Sequence, residues 1–99
     1  MVRHVVMWCF REELPQEERT SAKERIKREL EALVGVVPGL LSARVVTEPI
    51  SSSSHDICLV AAMDSEESLR AYATNPDHVK AAQFVRSVTC GRAVMDYCE

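Results

Sequence analysis

The alternation of hydrophobic and polar residues divides the chain into segments with two different periods. Segments 2–10, 40–48, 55–63 and 88–97 are rich in apolar residues with the two-residue period of β-strands. In the first and third segments both faces are apolar, as is typical of strands that are covered on both sides. The pattern predicts four strands, with a bulge or bend at Gly91 in the last one.

A helical period replaces the strand pattern from position 15 to position 34. The apolar residues of this region form one stripe, which consists of Ala22, Ile26, Leu30, Leu33, Val34 and Val37. Pro15 suits the first position of the helix, and Gly35 suits its end. Ser21 followed by Glu24 resembles a capping box, so a start near Ser21 is the alternative. The remaining faces are almost all charged, which indicates an amphipathic helix.

Residues 69–88 are predicted to form two short helices that are separated at Asn75-Pro76. Asn75 is a favourable N-cap residue, and Pro76 suits the first helical position because its missing N–H group needs no partner there. Tyr72 lies on the apolar stripe of the first helix, and His78 begins the apolar stripe of the second. A tyrosine and a histidine therefore point inward from the two sides of one kink, where the sequence suggests chemistry.

The order of these elements predicts an α+β fold. Strand, helix, strand, strand, helix pair and strand correspond to two split βαβ units, the ferredoxin-like βαββαβ arrangement. Its four-stranded antiparallel sheet carries the helices on one face. Ninety-nine residues are the size of one domain, so we expect residues 1–99 to form a single domain.

The two-sided apolar strands also predict a partner. Helices on one face leave the other face of the sheet open, and an exposed apolar face of that size needs cover. The simplest cover is the same face of a second copy. We therefore expect a two-fold homodimer whose sheets pack face to face.

Composition excludes several classes of function. The chain has 15 acidic and 12 basic residues, and its net charge of −3 argues against nucleic-acid binding. No apolar run approaches the roughly 18 residues of a membrane span, and a signal peptide is not evident, so we expect a cytoplasmic protein without membrane contact. The four cysteines lack metal-ligand spacing and are expected to be reduced, with no metal site.

Several short motifs, in order along nearly the whole chain, resemble the stress-responsive α/β-barrel (Dabb) domain family. They are Arg3-His4-Val5-Val6-Met7-Trp8-x-Phe10, Val37-Pro38-Gly39-Leu40, Ser54-His55-Asp56, Tyr72-x-x-x-Pro76-x-His78 and Arg92-Ala93-Val94-Met95-Asp96-Tyr97. The resemblance implies a homodimer whose two sheets form a shared barrel, which agrees with the dimer inferred from the strands.

The resemblance also implies a possible chemistry. A plant polyketide cyclase of this family closes a ring by aldol condensation without a metal or organic cofactor, using a tyrosine and a histidine that match Tyr72 and His78. His4 matches a histidine of its pocket. Leu30 stands where that enzyme has a second pocket tyrosine, and Arg92 stands where it has an apolar residue, so a different substrate is expected.

These considerations give a set of candidate site residues. His78 is the expected general base, because the helix N-terminus favours a neutral imidazole, and Tyr72 is the expected hydrogen-bond donor to a substrate carbonyl. The alternative is that His78 bonds to a backbone group or an aspartate and only fixes the kink. The expected substrate-binding residues are His4, Val6, Trp8, Leu30, Leu59 and Arg92. Taken alone, His4 is more typical of a core histidine. Arg92 is more typical of a partner for a carboxylate at the pocket rim than of an anchor for an anionic substrate.

Two function hypotheses follow. The first is a cofactor-free cyclase, isomerase or lyase that acts on a small, partly apolar carbonyl compound by proton transfer. The second is a dimeric barrel protein without enzymatic activity, either a small-ligand binder or a stress-related protein. A cavity of roughly 300 Å³ or more that Tyr72 and His78 both face favours the first hypothesis, and a filled interior favours the second.

Overall fold

The computed structural model describes residues 1–99, and its elements follow the predicted order. They are β1 (Val2–Phe10), α1 (Gln16–Glu31), β2 (Leu40–Val46), β3 (Ile57–Met63), α2 (Glu66–Thr74), α3 (Pro76–Val88) and β4 (Thr89–Cys98). The fold is the ferredoxin-like βαββαβ arrangement with one antiparallel sheet, as predicted. None of the three helices combines the length and the apolar character that crossing a membrane requires.

The strands of the sheet follow the order β2-β3-β1-β4, so the two strands with apolar residues on both faces are the central ones. Val6 of β1 is opposite Leu59 of β3 on one side and Val94 of β4 on the other. Because side chains alternate along a strand, this register places the even-numbered residues of β1 on the face under the helices. Val2, His4, Val6, Trp8 and Phe10 are all buried there.

Helix α1 differs from its prediction at both ends. It begins at Gln16, with Pro15 as the capping residue, so the alternative start near Ser21 is wrong. It ends at Glu31, earlier than predicted, and is followed by turns in which the N–H groups of Val36 and Val37 both donate to the Leu33 carbonyl. These turns still bury Leu33 and Val37, which is why the apolar stripe continued beyond the helix.

The break between α2 and α3 has the predicted geometry. The Asn75 side chain caps α3 by accepting a hydrogen bond from the N–H of Asp77 at 2.9 Å, and Pro76 opens the helix. The N–H of Asn75 in turn donates to the Tyr72 carbonyl at 3.2 Å, which closes the last turn of α2. Only one residue therefore separates the two helices, and the turn after Tyr72 leads directly into the turn that carries His78.

Strands β2 and β3 are shorter than predicted, because residues 47–56 form a connection with its own hydrogen bonds. Asp56 belongs to this connection: its N–H donates to the Trp8 carbonyl at 2.9 Å, and its Oδ2 accepts from the N–H of Phe10 at 2.8 Å. His55 Nε2 lies 3.1 Å from the carbonyl oxygen of Gly91. The Ser54-His55-Asp56 motif thus joins the ends of β1, β3 and β4.

The predicted irregularity of β4 at Gly91 is present. The pairing of β1 with β4 shifts between Met7 and Cys9, so that Gly91 and Arg92 together face the single residue Trp8. Gly91 has φ of 62°, which is the left-handed region that favours glycine at a bulge. The bulge sets the positions of Arg92, Val94 and Asp96, which follow at alternate positions on the face under the helices.

The opposite face of the sheet has no cover within one chain. Val5, Met7 and Val60 are only half-buried there, and Met95 of β4 is 68% exposed. These residues form a connected apolar surface across the central strands and β4, because they are neighbours in the strand register. We call this surface the open face.

Candidate functional site

A cavity of about 490 Å³ lies between the sheet and the helices, and ten of its sixteen lining residues are hydrophobic. The lining consists of His4, Val6, Trp8, Leu30, Leu59, Leu69, Arg70, Tyr72, Ala73, His78, Ala82, Val85, Arg86, Arg92, Val94 and Asp96. All eight candidate site residues from the sequence analysis are among them. The volume is within the range of roughly 300–1,000 Å³ that is usual for small-molecule sites.

Tyr72 and His78 are in direct contact across the kink between α2 and α3. Their ring centroids are 4.0 Å apart, with an angle of 38° between the ring planes. Tyr72 lies near the end of α2, and His78 is the third residue of α3. The kink therefore brings both side chains to the same part of the cavity wall.

The imidazole of His78 is held in an environment that favours its neutral form. Its Nδ1 atom is buried and has no hydrogen-bond partner. Burial is the main cause that lowers the pKa of His78, and the neighbouring side chains of His4, Arg86 and Arg92 lower it further, while the backbone of Ala73 opposes the shift. The position in the first turn of α3 acts in the same direction, because the positive end of the helix dipole disfavours imidazolium. His78 is therefore a neutral imidazole near pH 7.

Tyr72 is held in its protonated form. Its side chain is almost completely buried, and this burial raises the pKa of Tyr72 to about 12. The phenol therefore keeps its proton at any physiological pH. A protonated phenol beside a neutral imidazole provides one hydrogen-bond donor and one proton acceptor within the same wall.

His4 also contacts Tyr72 and is bonded to Asp96. The rings of His4 and Tyr72 meet edge to face, with centroids 5.9 Å apart. His4 Nδ1 lies 2.5 Å from Asp96 Oδ1, across the β1–β4 pair in which the two residues are direct partners. When Nδ1 donates to the carboxylate, the second nitrogen, Nε2, is left available as an acceptor. Tyr72 thus contacts two imidazoles, those of His4 and His78.

Arg92 lines the cavity, but it does not make the carboxylate pair that the sequence analysis favoured. Asp96, the acidic residue on the same face of β4, is bonded to His4 instead. Arg70 of α2 and Arg86 of α3 also line the cavity. No group of three or more histidine, cysteine or acidic side chains is arranged to hold a metal ion.

The sequence agrees with the geometry: residues 2–99 match the family model of the stress responsive A/B barrel domain, or Dabb domain. This chain is a member of the Dabb family. A comparison with curated proteins finds no match.

Several solved structures are similar to this chain in fold. A dimeric protein of unknown function from Bacteroides fragilis, with a ferredoxin-like fold, is 27% identical with a TM-score of 0.90, over 97% of this chain and 93% of that one. A dimeric ferredoxin-like protein of unknown function from Thermobifida fusca is 20% identical with a TM-score of 0.82, over 99% and 90% of the two chains. A hydroxynitrile lyase from Passiflora edulis is 15% identical with a TM-score of 0.77, over 97% and 90%.

Within this Dabb domain, three ionisable lining residues were not among the candidates. Arg86 follows His78 and Ala82 at spacings of four residues, so the helical period of α3 was the signal that places it on the cavity side. Asp96 lies two strand positions beyond Val94, but its bond to His4 depends on the β1–β4 register. Arg70 gave no signal, because it is next to the stripe of α2 and not on it.

Proposed function

We propose that the cavity is an active site in which His78 acts as general base and Tyr72 as hydrogen-bond donor on a small carbonyl compound. The reaction class is proton transfer coupled to making or breaking a bond next to the carbonyl group, as in a lyase, cyclase or isomerase. The observation that carries the proposal is the buried, unpartnered Nδ1 of His78, 4.0 Å ring to ring from Tyr72 in a cavity of about 490 Å³. A buried polar atom without a partner needs an explanation, and catalysis is one of the recognised ones.

The two side chains have complementary protonation states for this task. A neutral imidazole accepts a proton from a substrate carbon or hydroxyl group near pH 7. The phenol of Tyr72 donates a hydrogen bond to the oxygen on which negative charge develops, and in a site with little water such a bond is stronger than in solution. In this proposal the reaction needs no cofactor, because each step is carried by a side chain.

His4 and Asp96 form a second proton-carrying unit in the proposed site. Asp96 fixes the His4 ring by its bond to Nδ1 and stabilises the imidazolium that forms when Nε2 takes up a proton. Val6, Trp8, Leu30 and Leu59 supply the apolar walls against which the body of the substrate packs. Arg92 completes the proposed set of binding residues.

One relative of known activity, the hydroxynitrile lyase, agrees with the proposed class of reaction and indicates no particular substrate. A hydroxynitrile lyase with this fold breaks or forms a carbon–carbon bond at a carbonyl carbon, which is chemistry that a base and a hydrogen-bond donor can carry out. A cavity lined mainly by apolar residues also suits a protein that only binds its ligand. The experiment below separates these two functions.

The test is a screen of aldehydes, ketones and their cyanohydrins for turnover by the purified protein. We expect His78→Ala and Tyr72→Phe each to lower kcat/KM by a factor of about 10² or more while the fold is retained. His55→Ala and Tyr97→Phe are matched controls, because both residues lie outside the cavity. If the His78 and Tyr72 variants turn over a substrate as fast as the parent, the site is not catalytic and the ligand-binding function replaces the proposal.

We also propose that the protein is a homodimer through the open face. Relatives from Bacteroides fragilis and Thermobifida fusca are dimeric, and the apolar residues Val5, Met7 and Val60 have no cover in one chain. Val60→Glu would place two like charges near the two-fold axis, so we expect this variant to dissociate or unfold. Sedimentation velocity at micromolar concentration measures the effect, and a folded monomer for the unmodified chain would exclude the proposal.

A further inference from the structure

The cavity has a charge opposite to that of the chain as a whole. The protein carries a net charge of −3, with 15 acidic and 12 basic residues. Three of its arginines line the cavity, Arg70, Arg86 and Arg92, against a single acidic residue, Asp96. A local excess of positive charge in an acidic protein attracts anions to this one place.

The three cavity arginines make no ion pair with a carboxylate, a property that they share with Arg11, Arg19, Arg28, Arg44 and Lys80. Arg3 pairs with Glu99, and two lysine or arginine side chains of α1 pair with glutamates four residues further on. No carboxylate lies within ion-pair distance of the three cavity arginines. Asp96, the one acid nearby, is bonded to His4. The cavity lining therefore includes three exposed arginines whose guanidinium donors have no carboxylate partner, next to apolar lining residues.

Arg86 and Arg92 stand close to the proposed reaction centre. Arg86 is in the last turn of α3, and Arg92 follows the α3–β4 junction at the bulge opposite Trp8. Both are near enough to His78 that their charge lowers the pKa of its imidazole. They thus approach the cavity from a helix and a strand that meet at one end of it.

We propose that the ligand of this site carries a carboxylate, which Arg86 and Arg92 bind while its apolar body lies against Trp8 and its carbonyl group lies near Tyr72. The position of the carbonyl group rests on the function proposed above. Guanidinium groups bind carboxylates through paired charge-assisted hydrogen bonds, a geometry that a neutral ester cannot reproduce. The substrate class is therefore a small keto acid or aldehyde acid with an apolar body.

The test compares an acid with its neutral ester. Isothermal titration calorimetry measures the binding of benzoylformate, methyl benzoylformate and phenyl phosphate to the protein of residues 1–99. We expect the acid to bind about tenfold or more tightly than the ester, as charge-assisted hydrogen bonds allow. Arg86→Gln and Arg92→Gln should each remove most of this preference. Arg28→Gln is the matched control, because Arg28 is an exposed residue outside the cavity and its loss changes the net charge equally.

Several outcomes would overturn the inference: equal affinity for acid and ester, absence of saturable binding by the acid, an equal loss in Arg28→Gln, or tighter binding of phenyl phosphate than of benzoylformate. Failure of the proposed function gives a different result. In that case the parent protein still binds the acid more tightly than the ester, and the arginine variants lose this preference. His78→Ala and Tyr72→Phe then leave turnover unchanged. Conversely, turnover that depends on His78 with no preference for acids would retain the catalytic proposal and exclude the carboxylate.

Discussion

The two halves of the helix-covered face of the sheet are packed in different ways. Under α1, the side chains of Ile26 and Val45 are at most 1% exposed and pack in the core between the helix and β2. Under α2 and α3, a cavity of about 490 Å³ separates the helices from β1 and β4. The helix-covered face of the sheet thus carries a closed core in one half and a cavity in the other half.

The sizes of the helical side chains explain this difference. Helix α1 directs Ile26 and Leu30 toward the sheet, whereas α3 directs Ala81 and Ala82 toward it between His78 and Val85. Interiors of proteins are normally close-packed, so a stripe with alanines leaves volume that no neighbour fills. In this domain Tyr72 and His78 therefore belong to α2 and α3, whereas α1 contributes close packing and, with Leu30, a single residue to the cavity lining. Substitutions on the two sides should have effects of different kinds.

The largest effect on stability is expected in the closed half. Ile26→Ala removes three carbon atoms from a side chain that is 0% exposed and leaves a void among rigid neighbours. We expect the free energy of unfolding to fall by about 2–5 kcal/mol, as for other large-to-small changes in a core. Urea unfolding followed by circular dichroism measures the loss. A change below about 0.5 kcal/mol, the level of an ordinary surface substitution, would mean that this half is not close-packed.

A matched pair of valines sharpens the comparison. Val45 and Val6 are both strand residues, and each is 1% exposed, but only Val6 lines the cavity. Val45→Ala creates a closed void, whereas Val6→Ala enlarges a space that is already open, so we expect the first to be the more destabilising. Equal losses in the two variants would contradict the division into a closed half and an open half.

Substitutions in the open half should change ligand binding more than they change the free energy of unfolding. Ala82→Leu adds three carbon atoms to the wall of the cavity, where they occupy existing space. We expect the free energy of unfolding to change by less than about 1.5 kcal/mol, while calorimetric binding of benzoylformate is lost. Gln83→Leu is the control, because Gln83 is the next residue of α3 but is exposed and outside the cavity. Unchanged binding in Ala82→Leu would show that ligands do not enter this space.

Much of this division could be predicted from the sequence, because it depends on local periods. The two-residue period of β1 and the helical stripes around Tyr72 and His78 determine which side chains face the sheet. Asn75 and Pro76 determine where the helix breaks. These signals were sufficient for the fold and for the direction of Tyr72 and His78, whereas His4, Leu30 and Arg92 were indicated by the resemblance to the Dabb family.

The remaining features of the site depend on contacts between distant parts of the chain. The His4–Asp96 bond follows from the pairing of the first strand with the last, and the bulge at Gly91 sets that pairing. Sequence periodicity predicts the face of the sheet on which Asp96 lies but not the residue that it bonds to. Arg92 was therefore expected to pair with a carboxylate at the pocket rim, whereas in the structure the Asp96 carboxylate is bonded to His4. The end of α1 was missed for a related reason, since Leu33 and Val37 continue a helical stripe through turns.

The smallest effect is the contribution of His78 to the pH dependence of the open half. Burial holds the pKa of His78 in the folded protein below its ordinary value of 6.5, so the unfolded chain takes up this proton at a higher pH than the folded one. As the pH falls from 6.5 toward the lowered pKa, stability is therefore lost, and above 6.5 this contribution is fully present. Activity that uses neutral His78 should fall at the same lowered pKa.

Urea midpoints of the parent and of His78→Gln, measured between about pH 5 and about pH 7.5, test this expectation. The parent should lose stability more steeply than the variant as the pH falls, because glutamine has no proton to take up. His55→Gln is the control for a histidine whose ring bonds to Ser54 and Gly91 outside the cavity. Because His78 is only half-buried, the difference in slope is expected to be small. Parallel profiles for the parent and His78→Gln would mean that the imidazole is protonated as easily in the cavity as in the unfolded chain, and the open half would then lack a neutral base at low pH.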